Sequence, residues 1–185
     1  MSFPGTVEGD ERIRLFCALK LPADAVERLA FWQRVAFAGA DVRVLPRDHL
    51  HVTLAFLGHR PRRELDGIVA ALRDAGGVAA RPALTVRRYR ETRSVGMLVL
   101  DDEDERATRF AADLQERLER LGVYEPEQRR WLPHVTVIRF RRQPRLAPDL
   151  PELGSIVPSE AAVFISRLRP TGAQYEVIEN VALGG

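Results

Sequence analysis

From Arg12 to Lys20 the chain alternates, with Ile13, Leu15, Cys17 and Leu19 on one side and Arg12, Arg14 and Lys20 on the other. A period of two predicts a half-buried strand, and it places Cys17 in the apolar row as packing rather than as a nucleophile. The period then lengthens. After Leu21-Pro22-Ala23-Asp24, Val26, Leu29, Trp32 and Ala36 fall on one helical face, with proline tolerated in the first turn and Gly39 near the stop. Val42 to Leu45 reads as a short strand, Arg47-Asp48 as a turn, and Leu50 to Leu57 as a longer strand ended by Gly58. Pro61 opens a second helix striped by Leu65, Ile68, Val69 and Leu72, and Gly76-Gly77 is expected to break it.

The second half repeats these themes. Ala83–Tyr89 and Val95–Leu100 predict a hairpin around Arg90–Ser94. Asp101 or Asp102 is expected to cap a third helix carrying Glu103, Asp104 and Glu105 in its first turn. Its apolar face is Ala107, Phe110, Leu114, Leu118 and Leu121, and Gly122 closes it. A strand from about Trp131 to Phe140, a proline-rich surface loop through Pro158, and a hairpin of Ala161–Leu168 with Gln174–Val181 around Pro170-Thr171-Gly172 complete the chain. Residues 1–11 read as a loose tail with acids and no apolar stretch of signal-peptide type. Strands joined by short turns pair antiparallel, so the expected class is α+β.

Composition narrows the setting. Apolar residues are 45% and charged residues 29% of 185, which suits a soluble globular chain able to bury a core without staples. A lone cysteine rules out an internal disulfide, and no apolar run is long enough to span a bilayer, so a cytoplasmic enzyme is expected. Of 28 basic residues only Lys20 is a lysine. Coding bias explains that total without any function. The grouping of Arg129, Arg130, Arg139, Arg141, Arg142 and Arg145 around one strand is more informative, because a guanidinium matches phosphate oxygens with a planar fork of donors.

The chemistry concentrates in two tetrapeptides, His51-Val52-Thr53-Leu54 and His134-Val135-Thr136-Val137, 83 residues apart (134 − 51). In a strand, residues two apart share a face, so His51 sits with Thr53 and His134 with Thr136, while Val52, Leu54 and Phe56, like Val135 and Val137, turn to the core. A histidine alone on a strand is usually structural, and His49 and His59 are read so. Duplication argues otherwise for the other two. Two imidazoles, one protonated and one neutral, can activate water and protonate a leaving oxygen in one displacement. A phosphodiester suits such a pair, because charge gathers on oxygens that hydroxyls and an arginine can hold. Metal binding is the rival use, but no Cys partner, no His-x-x-x-His and no acid beside either motif offers a third ligand.

These motifs, with Arg14-Leu15-Phe16-Cys17-Ala18-Leu19, the extension of the first motif to Phe56-Leu57-Gly58 and the trailing Arg139, resemble the two-histidine phosphoesterase superfamily. Within it the chain is similar to the RNA 2′,3′-cyclic phosphodiesterases, also called 2′-5′ RNA ligase-like proteins. The resemblance implies one bilobal catalytic domain over residues 1–185, with antiparallel sheets in a two-lobed pseudo-twofold arrangement, flanked by helices around a central groove. It implies hydrolysis of a 2′,3′-cyclic phosphate at an RNA end, tRNA fragments among the substrates, to a 2′-phosphomonoester by a monomer without metal or cofactor. Carried over by motif, His51 is the proton donor and His134 the acceptor, and Thr53, Thr136 and Arg139 bind the phosphate. Joining RNA ends through a 2′-5′ bond at the same site, or holding RNA without turnover, are the alternatives. Arg139 poses a problem: five residues beyond His134 it has the wrong parity, so a bulge or a strand end near Ile138 is needed to bring it into the groove.

Overall fold

The computed structural model describes residues 11–170 and 172–184. The alternation of Arg12–Lys20 forms strand β1, followed by helix α1 (Ala23–Ala36) and the two-residue strand β2 (Arg43–Val44). A 3₁₀ turn over Arg47–His49 leads into β3 (His51–Pro61). Helix α2 (Leu65–Val78), strands β4 (Thr85–Glu91) and β5 (Val95–Asp101), and helix α3 (Arg106–Arg120) follow. β6 (His134–Arg139), β7 (Glu160–Arg169) and β8 (Gly172–Ala182) end the order. The tail expected over residues 1–11 lies, apart from Glu11, outside the described residues, as does Thr171 of the last turn.

The strands form one eight-stranded sheet in the order β4-β5-β6-β3-β1-β7-β8, with β2 joined to β6, and every named pair is antiparallel. The two expected lobes are its halves. β1–α1–β3 and β5–α3–β6 repeat one motif, a strand and helix returning to an antiparallel neighbour. The halves meet where β3 and β6 share a single bridging pair, Val52 with Val135. Ile13, Leu15, Cys17 and Leu19 join the helices in the main core, whereas Phe16 and Ala18 face the other way into a small cluster with Ala162 and Phe164. Cys17 is fully buried and burial pushes its thiol up to about 12, as suits packing.

Several local expectations are corrected. Gly58 does not end β3. It takes a positive φ of 67° beside a register shift, and the strand runs on to Pro61. Gly76-Gly77 does not break α2, because Gly76 is where the helix meets the sheet: a Cβ there would stand 2.8 Å from Val181 Cγ1. α3 begins at Arg106, so Glu103–Glu105 precede it, while Asp102 caps it from the loop by accepting bonds from the Ala107 and Thr108 amides. Leu121 lies past the helix end and is exposed, and the proline-rich loop buries Leu153 and Ile156, the latter bridged to Leu84.

Gly96 tests the packing between β5 and β6. A Cβ there would lie 2.6 Å from Ile138 Cγ1, a fully buried atom with no room to retreat, and against the Tyr89 hydroxyl. Gly96→Ala is expected to cost about 1–3 kcal/mol through overpacking. Urea unfolding measures this, and an unchanged midpoint would contradict it.

Candidate active site

Antiparallel pairing of Val52 with Val135 matches each motif to itself, since these are the second residues of the two tetrapeptides. Carried one residue either way, that register sets His51 opposite Thr136 and Thr53 opposite His134, all on one face. The valines point to the core, where both are buried. The polar side is the floor of a groove of about 490 Å³. His51, Thr53, His134, Thr136 and Arg139 all line it, so the structure brings the five residues singled out from sequence to one place.

Of the two routes its parity allows, Arg139 reaches the wall by a bulge. The register between β5 and β6 steps from Met97–Thr136 to Gly96–Ile138, so Val137 is an extra residue. Val137 and Ile138 both turn inward, and Arg139 comes out on the side of His134 and Thr136. The same event on β3 corrects the expectation for Phe56. There the register steps from Ala18–Thr53 to Cys17–Ala55, Leu54 and Ala55 are both buried, and Phe56 is 47% exposed in the groove rather than facing the core.

Alternation also missed other wall residues. Arg43 pairs with Arg139 across β2 and β6, and Arg14 lies on the wall with its guanidinium 4.9 Å from the centre of the Phe56 ring. His49, read as structural, lines the groove with its ring 4.1 Å from that of Tyr175. His59, by contrast, stands exposed outside it. A two-residue strand such as β2 leaves no period to read, and Tyr175 comes from the far end of the chain. Only the arginine content hinted at this wall.

The groove is electrostatically one-sided. Three arginines and three histidines line it and no carboxylate does. Among the described residues, none of Arg14, Arg43 and Arg139 has a carboxylate within 4.0 Å. A concave surface of that kind favours an anion. Among the described residues no cluster of three or more His, Cys, Asp or Glu is placed to hold a metal ion.

The two catalytic candidates differ in their surroundings. His134 Nδ1 lies 2.8 Å from the Leu132 carbonyl, which only accepts, so Nδ1 carries the hydrogen and the neutral ring leaves Nε2 as its free base. His51 stacks on Phe16 at 5.0 Å between ring centres, and its buried Nδ1 makes no hydrogen bond of normal geometry. Burial, then the like charges of His49 and His134 and more weakly Arg139, lower its pKa to about 4, although the nearby His49 carbonyl pulls the other way. In the free protein His51 is therefore neutral near pH 7. The His49 pKa is also lowered, first by burial, with Arg43 and Arg139 adding to this and Asp48 opposing it.

The sequence profile described as the 2′-5′ RNA ligase superfamily matches residues 21–175. A protein of Methanocaldococcus jannaschii named RNA 2′,3′-cyclic phosphodiesterase is 22% identical over 179 residues, which are 90% of this chain and 99% of that one. Among solved structures, TT0787 of Thermus thermophilus gives a TM-score of 0.81 at 28% identity, covering 94% of this chain and 99% of its own. Escherichia coli LigT complexed with 3′-AMP gives 0.81 at 22% identity, covering 95% and 100%. The two-lobed α+β arrangement is thus shared with both.

The state of His51 is directly measurable. NMR titration of its ring in the free protein is expected to give a pKa of about 4. Because this lies below the unfolded value of about 6.5, the unfolded chain takes up a proton that the native one refuses, and stability falls as pH drops through that window. His51→Leu should flatten the fall in urea midpoint, and an equally steep fall would contradict the assignment.

Proposed function

This chain belongs to the 2′-5′ RNA ligase superfamily, and from that premise we propose that its groove hydrolyses RNA ends bearing a 2′,3′-cyclic phosphate to 2′-phosphomonoesters, without metal or cofactor. One observation carries the reading: two matched His/Thr pairs, related by the Val52–Val135 bridge, line one groove that has three arginines and no carboxylate. A single binder has no need of paired imidazoles, whereas an in-line displacement at phosphorus needs one on each side. The name of the archaeal relative and the 3′-AMP complexed with the Escherichia coli protein agree with a terminal nucleotide as ligand.

In the proposed reaction the cyclic phosphate lies between the histidines. His134 Nε2 takes a proton from a water as its oxygen bonds to phosphorus. The bond from phosphorus to O3′ breaks, and His51 gives O3′ its proton. Thr53 and Thr136 donate hydroxyl hydrogens to the non-bridging oxygens, and the Arg139 guanidinium offsets the charge gathering there. His51, neutral in the empty groove, needs its proton before it can act as donor. The bound anion supplies the reason to take one, since burial disfavours the charged ring in the empty groove and a negative charge beside it favours the protonated form. The substrate phosphate thereby loads its own acid.

An oligonucleotide ending in a 2′,3′-cyclic phosphate, incubated with the protein and EDTA, is expected to yield a 2′-phosphate. His51→Ala and His134→Ala should each lower kcat by roughly 10²–10⁴-fold, the range for general acid–base groups, while the chain stays folded. An inert wild type, or full rate in both variants, would overturn the proposal. Adding an RNA with a 5′-hydroxyl and finding mainly a 2′-5′ joined product would assign the same site to ligation instead.

A further inference from the structure

The two motif strands break their alternation at the same place. The extra residues are Leu54 in β3 and Val137 in β6, the fourth residue of each tetrapeptide and 83 positions apart, the spacing of the histidines themselves. A bulge leaves backbone groups out of the ladder, and here they lie against a buried core where an unpaired carbonyl is costly. Each carbonyl accepts from a side-chain amide, that of Val137 in addition to the Leu45 backbone N–H. Gln33 Nε2 on α1 donates to the Val137 carbonyl at 2.7 Å, and Gln115 Nε2 on α3 donates to the Leu54 carbonyl at 2.7 Å.

The arrangement is symmetric in origin as well as in effect. α1 follows β1 and α3 follows β5, the strands that flank β3 and β6, yet each helix serves the motif strand of the opposite half. Neighbouring bonds reinforce both ends. Leu45 N also donates to the Val137 carbonyl at 3.0 Å, Gln33 reaches the Leu45 carbonyl at 3.3 Å, and Trp131 Nε1 donates to the Thr53 carbonyl at 3.0 Å. Gln33 is only 1% exposed, one of three buried polar residues among those described. A buried amide needs a reason, and the bulge carbonyl is one.

We propose that Gln33 and Gln115 are positioning residues that hold the bulges and so decide which side chain follows each motif into the groove. Without an extra residue at 137, strict alternation sends Arg139 to the core side with Val135 and Val137. Without one at 54, it sends Phe56 there with Val52 and Leu54. Apolar packing alone discriminates weakly between these registers, because Leu54, Ala55, Val137 and Ile138 are all acceptable core residues. A directional amide bond to one carbonyl does discriminate. Gln33 therefore acts on the phosphate through Arg139, and Gln115 acts on the opposite wall through Phe56.

The inference rests on the phosphate reading of Arg139, and the test separates the two. Gln33→Met keeps the length of the side chain and removes the donor. It is expected to weaken inorganic phosphate binding and to lower kcat/KM by about 10–10²-fold, the scale of a misplaced group. If Gln33 works through Arg139, Gln33→Met combined with Arg139→Ala is no worse than Arg139→Ala alone, whereas losses from Gln115→Met and Arg139→Ala multiply. Wild-type phosphate affinity in Gln33→Met, or multiplication of its loss with that of Arg139→Ala, would overturn the proposal. Should Gln33→Met fail to fold, the hydrogen-bond scalar coupling from the Gln33 side-chain nitrogen to the Val137 carbonyl carbon, read by NMR in the wild type, decides. It is expected to be present, and its absence overturns the assignment. Failure of the wild type itself to bind phosphate would instead sink the functional reading and leave that coupling standing.

Discussion

One pair of residues sets the rest: Val52 beside Val135, antiparallel, at the seam of the sheet. When the same position of two repeated motifs pairs antiparallel with itself, a local twofold axis passes between them. Every residue near it acquires a partner in the other half. His51 gains Thr136, Thr53 gains His134, and the extra residues Leu54 and Val137 occupy matching places. The bridge is the single pair that β3 and β6 share, and the groove lies over this seam. Site geometry and fold symmetry are here the same fact.

The symmetry is broken where chemistry needs it broken. At matching positions the chain has Arg139 on one wall and Phe56 on the other, one suited to charge and one to an apolar surface. His134 has its Nδ1 fixed by the Leu132 carbonyl, while His51 is sunk among Phe16, Phe164 and Tyr175 and pushed to its neutral form. Two imidazoles in identical surroundings would titrate together and divide the roles of acid and base poorly. Burial lowers the pKa of His51, and in the proposed reaction the bound anion restores its proton.

Much of this was legible in the sequence because two residues of alternation suffice to put a histidine and a threonine on one face. Duplication then argued against a structural role for each histidine. Past the fourth residue the reading fails, since a bulge changes parity without changing composition. Its trace was there: Leu54-Ala55 and Val137-Ile138 are adjacent apolar residues where strict alternation wants a polar one. The odd offset of Arg139 exposed the second bulge. Phe56 raised no alarm, because a phenylalanine on the core side looks ordinary. Arg43, His49 and Tyr175 were hidden for another reason, as they reach the groove through a two-residue strand, a 3₁₀ turn and the last strand of the chain. Gln33 gave no signal at all. A polar residue at that point of a helical pattern looks like the edge of the solvent face, and only the distant bulge explains it.

The central claim is that this groove takes one anion between unlike histidines and that the anion brings a proton to His51. Calorimetric titration with inorganic sulfate tests it most directly, because sulfate has no proton of its own to gain near neutrality. Repeated at about pH 6 in buffers of different ionisation enthalpy, where a free histidine is partly protonated and a buried one is not, it counts the protons taken up. One sulfate per chain with net proton uptake, abolished in His51→Gln, is the predicted result. Sulfate binding without proton uptake, or uptake that persists in His51→Gln, would contradict the account.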